Sequence, residues 1–200
     1  MRLDDLDIDP TDSEWNRALD AFNSGDFAGA LFLFKKMEKE GSLDAIAEIG
    51  NIYELGGGGV RQDFVEAKKW YTKAAHLAND VYAYLGLGRL YYFGKGVSQD
   101  YGKALFYFSR LKDCEIPGAL FALGRMYLLG QGTKQDLLVA RIYFERAGGL
   151  GHVVAKRDIG IVDIKQGRYF SGLFRFIIGA LAILKVALHN PRDRRLLISK

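Results

Sequence analysis

The sequence predicts an all-α protein, an α-solenoid wound as a right-handed superhelix of about five antiparallel helix pairs. Three observations carry that expectation. Segments of about 36 residues repeat in tandem, far longer than a heptad and long enough for a supersecondary unit. Each segment spaces apolar residues at i, i+4 and i+8, one face of a helix. Proline numbers only 3 while glycine numbers 24, so the chain is punctuated by glycine turns and not by broken helices.

The tandem segments start at Ala45, Ala83 and Ala119. Gly50, Gly88 and Gly124 align, then Tyr53, Tyr91 and Tyr127, then Asp63, Asp100 and Asp136, then Ala67, Ala104 and Ala140. In the first helix of the middle unit Ala83, Leu87 and Tyr91 share one face. Gly88 lies inside that helix, where glycine costs about 1 kcal/mol against alanine. Repetition of that cost predicts a close approach of a facing helix. The run YYFGKGVSQD then stops the helix at glycines, and Asp100 is placed to cap the free N–H groups of the next one. Second-helix aromatics run Phe34, Tyr71, Phe108, Phe144 and Phe176. Weaker helix pairs precede and follow: Trp15, Ala18 and Phe22 with Phe27, Ala30 and Phe34, and Ala155, Ile159 and Gly160 with Tyr169, Gly172 and Phe176. The predicted organisation is an acidic N-terminal segment 1–12, a repeat domain 13–180 with units 13–42, 43–80, 81–116, 117–151 and 152–180, and an apolar-then-basic C-terminal helix and tail 181–200.

The set Ala83, Leu87, Gly88, Tyr91, Gly94, Gly96, Val97, Asp100, Ala104 and Phe108 resembles the Sel-one-like repeat, a relative of the tetratricopeptide repeat. The first pair, with Gly25-Asp26-Phe27, is closer to the tetratricopeptide form. The resemblance covers about residues 13–180. It departs at an extra glycine in Gly56–Gly59, at Thr133 for valine, and at Asp163 where a tyrosine is expected. It implies an α-solenoid that holds other proteins, usually without catalysis.

Charge is uneven. Residues 1–40 hold 10 acids and 5 bases, and residues 156–200 hold 10 bases and 3 acids, within a net of +4. An acidic head and a basic tail point to contacts at the ends. So small an excess does not imply nucleic acid, and no nucleic-acid motif occurs. The single cysteine, Cys114, excludes an intramolecular disulfide and fits a reducing compartment, so a cytoplasmic location is expected, with attachment to the inner face of a membrane as its variant. The start MRLDDLDIDP has no apolar core and does not read as a secretory signal.

Catalytic signals are thin. The glycine loops lack the Gly-Lys-Ser/Thr of a phosphate loop and follow no predicted strand, so they read as turns needing positive φ. His76, His152 and His189 lack metal-ligand spacing. No cofactor, metal or catalytic residue is expected. A buried His or Asp with a strongly shifted pKa on an open surface would revive an enzymatic reading. The alternative of a hydrolase of the secreted Sel-one-like type is disfavoured because those proteins are rich in disulfides.

Two features point to binding. If the first helices behave like tetratricopeptide helices, Asn51, Arg89 and Arg125, each after a packing glycine, face a concave groove, with Tyr92 and Phe121 beside the arginines. Paired guanidiniums grip carboxylates and aromatics add apolar anchoring. The expected ligand is an acidic or C-terminal peptide segment. The competing reading makes these ordinary surface arginines, paired with acids such as Glu54. The second feature is the stretch 172–188, GLFRFIIGALAILKVAL. On a helical wheel Gly172, Arg175, Gly179, Ala182, Lys185 and His189 share one side and Leu, Ile and Phe the other. Three roles compete: a buried cap on the last repeat, a basic amphipathic helix on an anionic membrane aided by Arg175, Lys185, Arg192, Arg194 and Arg195, or a docking helix for a partner or second copy. The expected function is a non-catalytic scaffold, with a membrane-peripheral assembly factor as the alternative.

Overall fold

The structure is a computed structural model that describes the backbone of residues 10–189 and the side chains of residues 14–189. Most of the acidic head, together with Arg192, Arg194 and Arg195, lies outside the described residues. Ten α-helices and no strands occur among the described residues. The chain divides into two compact units, residues 1–98 and 99–200, so the division falls in the glycine loop of the middle repeat.

The first unit contains α1 (Pro10–Ser24), α2 (Phe27–Lys39), α3 (Asp44–Leu55), α4 (Phe64–Leu77) and α5 (Val81–Phe93). Three of its helices, α2, α4 and α5, start behind a capping aspartate. Asp26 accepts from the Gly29 N–H, Asp63 from those of Val65 and Glu66, and Asp80 from that of Ala83. Each satisfies backbone donors that have no partner within the helix. The apolar stripe of α2, with Ala30, Phe34 and Met37, packs on Ala45, Ile49 and Ile52 of α3. Trp15 of α1 meets Phe34 edge-on at 5.4 Å. Tyr71 of α4 fits against two glycines: a Cβ on Gly50 lies 2.8 Å from its ring, and a Cβ on Gly86 also collides with it. The close approach expected of the repeated glycine is therefore made by the second-helix aromatic.

The second unit contains α6 (Tyr101–Ser109), α7 (Pro117–Leu129), α8 (Leu137–Gly149), α9 (Val153–Lys165) and α10 (Tyr169–His189). Asp100 and Asp136 cap α6 and α8. A Cβ on Gly124 lies 2.7 Å from the Phe144 ring, the same device as Gly50 with Tyr71. Phe144, Phe121, Leu120, Ala147 and Val162 form the core. Of the five aligned second-helix aromatics, Phe34, Tyr71, Phe108 and Phe144 are buried, while Phe176 is half-buried.

The glycine loops are turns. Gly94 and Gly130 end α5 and α7 with the same left-handed geometry, φ 68° and ψ 32°. The glutamines before Asp63 and Asp136 add a second tie. Gln62 donates to the carbonyls of Glu54 and Leu55, and Gln135 to that of Leu128, so both close the last turn of the preceding helix. α10 runs unbroken across residue 180, where the sequence reading ends the repeat domain.

Candidate functional site

In the first unit the first-helix residues form an internal network. Arg89 of α5 donates from Nε to Glu54 Oε1 at 3.1 Å and from Nη2 to Glu54 Oε2 at 2.6 Å, a bidentate bridge to α3. The Tyr71 hydroxyl donates to Glu54 Oε2 at 2.8 Å. Burial works against the Arg89 charge, but the Glu54 carboxylate outweighs it and holds the guanidinium above its ordinary range. Burial, with the Glu54 charge, pushes the Tyr71 phenol well above its usual value. The grip that Arg89 was expected to offer a ligand is thus already filled by Glu54. Asn51 is half-buried and donates to Glu48 at 3.3 Å. Tyr92 is half-buried, edge-on to Phe93.

In the second unit Phe121 does not face a groove. It is 0% exposed, 5.7 Å from the Phe144 ring and stacked on His152 at 4.3 Å. The correction has a simple cause: α7 packs on α8, so the position three before the glycine turns inward toward Phe144 and the His152 N-cap of α9. Arg125 is half-buried, its guanidinium 6.0 Å above the Phe121 ring, and makes no ion pair among the described residues. Asp158, pushed up by burial, is held down in part by Arg157 and by the Arg125 charge.

His152 is the N-cap of α9. Its Nδ1 accepts from the Ala155 N–H at 3.2 Å, which puts the proton on Nε2. Burial pushes its pKa from 6.5 down to about 4. The shift comes from core packing against Phe121 and not from an open catalytic pocket. It has a consequence for stability. The unfolded chain takes up a proton near pH 6.5 and the folded chain only near pH 4, so stability falls as pH drops through that window. The full term is about 3 kcal/mol. Urea titrations between pH 7 and 4.5 should show the wild type losing more stability than His152→Asn, which keeps the cap without the titration; parallel losses contradict the assignment.

The residue that departs from the repeat pattern organises the end of the unit. Asp163 of α9 is 2% exposed and receives three arginines. Arg141 of α8 reaches Oδ1 at 2.5 Å, Arg168 reaches Oδ1 at 2.8 Å, and Arg175 of α10 reaches Oδ2 at 3.4 Å. The Asp163 carboxylate is the main cause holding Arg141 above its ordinary range. Sequence reading marked Asp163 only as a misfit. The signal available was four basic side chains and no acid from 164 to 189.

α10 packs on α9 through glycines. A Cβ on Gly160 lies 2.6 Å from the Gly172 carbonyl oxygen and the Phe176 nitrogen, and a Cβ on Gly179 lies 2.5 Å from Arg157 Cα. The helix therefore turns Gly172, Gly179 and Arg175 toward the body. Its Leu, Ile and Phe face is exposed, so it is not the buried apolar cap that one sequence reading expects. Lys185 is exposed on that outward face. Among the described residues α10 alone is long and apolar enough to cross a membrane, with mean hydropathy 1.9 over its best window. No group of three His, Cys, Asp or Glu able to hold a metal occurs among the described residues.

Tandem two-helix units with capped second helices and glycine-seated aromatics define an α-solenoid repeat protein. Residues 43–79, 81–114 and 117–152 match the Sel1 repeat family, and the chain belongs to it. A Sel1 repeat protein from Oxalobacter formigenes is 30% identical, with a TM-score of 0.72 over 83% of this chain and 69% of that one. The protective antigen c5321 of uropathogenic Escherichia coli, which has the same repeat fold, is 22% identical with a TM-score of 0.55, over 86% of this chain and 46% of its own. MamA is 19% identical with a TM-score of 0.59, over 86% of this chain and 96% of its own. The last two likenesses show the fold alone. A search of curated proteins finds no significant match. Domains of this family generally serve as protein-interaction scaffolds without catalysis.

Proposed function

We propose that the chain is a non-catalytic scaffold of the cytoplasm that holds an acidic protein or peptide segment against its first helices. Arg125 is the main contact in residues 99–200, and Asn51 and Tyr92 form a separate contact surface of residues 1–98. The observation that carries this reading is the state of Arg125, half-buried over the Phe121 ring with no ion pair among the described residues. A guanidinium already oriented by an aromatic face loses little freedom on gripping a carboxylate. Arg89, clamped by Glu54, contributes rigidity to its unit and not a free cation.

Affinity capture from lysate with wild type, Arg125→Glu and Arg125→Lys tests this reading. A saturable partner should be retained by wild type and weakened about tenfold or more by Arg125→Glu, while Arg125→Lys, which keeps the positive charge near Asp158, should leave the thermal midpoint unchanged. Arg125→Lys should fall between, because an ammonium cannot grip a carboxylate bidentately. Equal retention by all three removes Arg125 from the binding surface.

A further inference from the structure

A helix on the surface of a water-soluble protein normally turns its apolar stripe inward and its charges outward. α10 instead leaves its longest apolar stripe outward. Its inner side carries Gly172 and Gly179, with Ile183 and Val186 against the core, and on the flank Arg175 is tied to Asp163. The outer side carries Phe170, Phe174, Ile177, Leu181, Leu184 and Leu188, each between 48% and 95% exposed. At 1.5 Å per residue, the 21-residue helix presents a stripe about 31 Å long. So continuous an apolar surface marks a site covered by something else.

Charge selects the occupant. From residue 164 to 189 the chain holds Lys165, Arg168, Arg175 and Lys185 and no acid. Arg168 and Arg175 keep about half of their side-chain surface exposed, 51% each, even while bonded to Asp163. A second copy would pair this face with itself across a two-fold axis. That would bring together two Lys185 side chains, each one turn from Leu181 and Leu188, with no acid on either helix to offset them. An anionic lipid surface supplies both what the stripe lacks, an apolar phase, and what the cations lack, negative charge. The inner side of the helix stays committed to α9, so the helix lies along the surface.

We propose that α10 is a membrane-docking helix that lies in the plane of an anionic bilayer. Its Phe170-to-Leu188 stripe enters the acyl boundary, and Lys165, Arg168 and Lys185 meet the lipid phosphates, the lysine stems reaching up from the apolar level. Asp163 and the glycine seam hold the helix on the last repeat, so the unit of residues 99–200 is carried at a fixed orientation to the surface. This attachment is separate from the peptide contact proposed for Arg125.

The test is co-sedimentation of the full chain with vesicles of phosphatidylcholine alone, or with about a quarter of phosphatidylglycerol. Wild type should pellet with the anionic vesicles and should be released by high salt or alkaline carbonate. The double variant Phe174→Glu/Leu181→Glu, both at exposed positions, should partition about tenfold or more weakly, with circular dichroism unchanged. The control Phe32→Glu, at another exposed aromatic, should bind like wild type. Failure of wild type to bind anionic vesicles overturns the proposal. So does a dimer in light scattering that the double variant dissolves, since a second copy then covers the face. Resistance to carbonate extraction also overturns it, since the helix then spans the bilayer.

Discussion

Replacing Asp163 with alanine should cost about 2–4 kcal/mol of folding stability, far more than any single change among its partners. Removing the carboxylate leaves Arg141, Arg168 and Arg175 converging on a buried point without an anion. Breaking a buried pair from one side commonly costs about 3–5 kcal/mol, and the half-exposure of two of these arginines lowers that figure because water takes up part of their charge. Arg175→Ala alone should cost no more than about 1 kcal/mol, since its partner keeps two other cations. Urea unfolding of the three proteins reads this directly. A loss below about 1 kcal/mol for Asp163→Ala would mean that the cluster holds nothing in place.

Gly160→Val should have an effect of similar size by a different route. At Gly50 and Gly124 an added Cβ meets an aromatic side chain, which has some room to shift. At Gly160 it meets backbone, the Gly172 carbonyl and the Phe176 nitrogen at 2.6 Å and Phe176 Cα at 3.0 Å, so only separation of α9 from α10 relieves it. The expected loss is about 3 kcal/mol, the upper end of overpacking penalties, with faster proteolysis in the 166–168 turn. Gly149→Ala provides the control. Nothing lies within 4 Å of its added Cβ, and that change should be neutral or gain a few tenths of a kcal/mol. Similar losses for both variants would show that helix propensity, and not the interhelical seam, sets the effect.

The repeat was legible in the sequence because its devices recur. Glycine opposite an aromatic, aspartate at the N-cap and glycine at the left-handed C-cap each appear in register, and repetition separates a structural device from chance. Gln62 and Gln135 recur as well, immediately before the capping aspartates, yet their carbonyl bonds were not evident because glutamine has no single role in a turn. The binding face was less legible. Tetratricopeptide geometry puts Phe121 on an open wall, but packing by α8 and the start of α9 makes it core, and Arg89 finds its carboxylate at home in Glu54. The sense of α10 was the least legible of all. A helical wheel separates polar from apolar sides but does not say which one faces the body. Arg175 reads as a solvated charge until Asp163, in the slot of a repeat tyrosine, supplies it with a buried partner.

The last repeat seats α10 on α9 through its glycine side, with Ile183 and Val186 inward, and leaves the Leu, Ile and Phe stripe outward. Single-cysteine accessibility in a Cys114→Ser background measures that orientation without any partner or lipid, with wild-type Cys114, an exposed thiol, as the reference rate. Leu181→Cys should react with a water-soluble maleimide at close to that rate, while Val186→Cys, packed against the core, and Val162→Cys, fully buried on α9, should be protected about tenfold or more. Protection at Leu181 together with rapid labelling at Val186 in the folded monomer would show the helix turned the other way, and the account of α10 would be wrong.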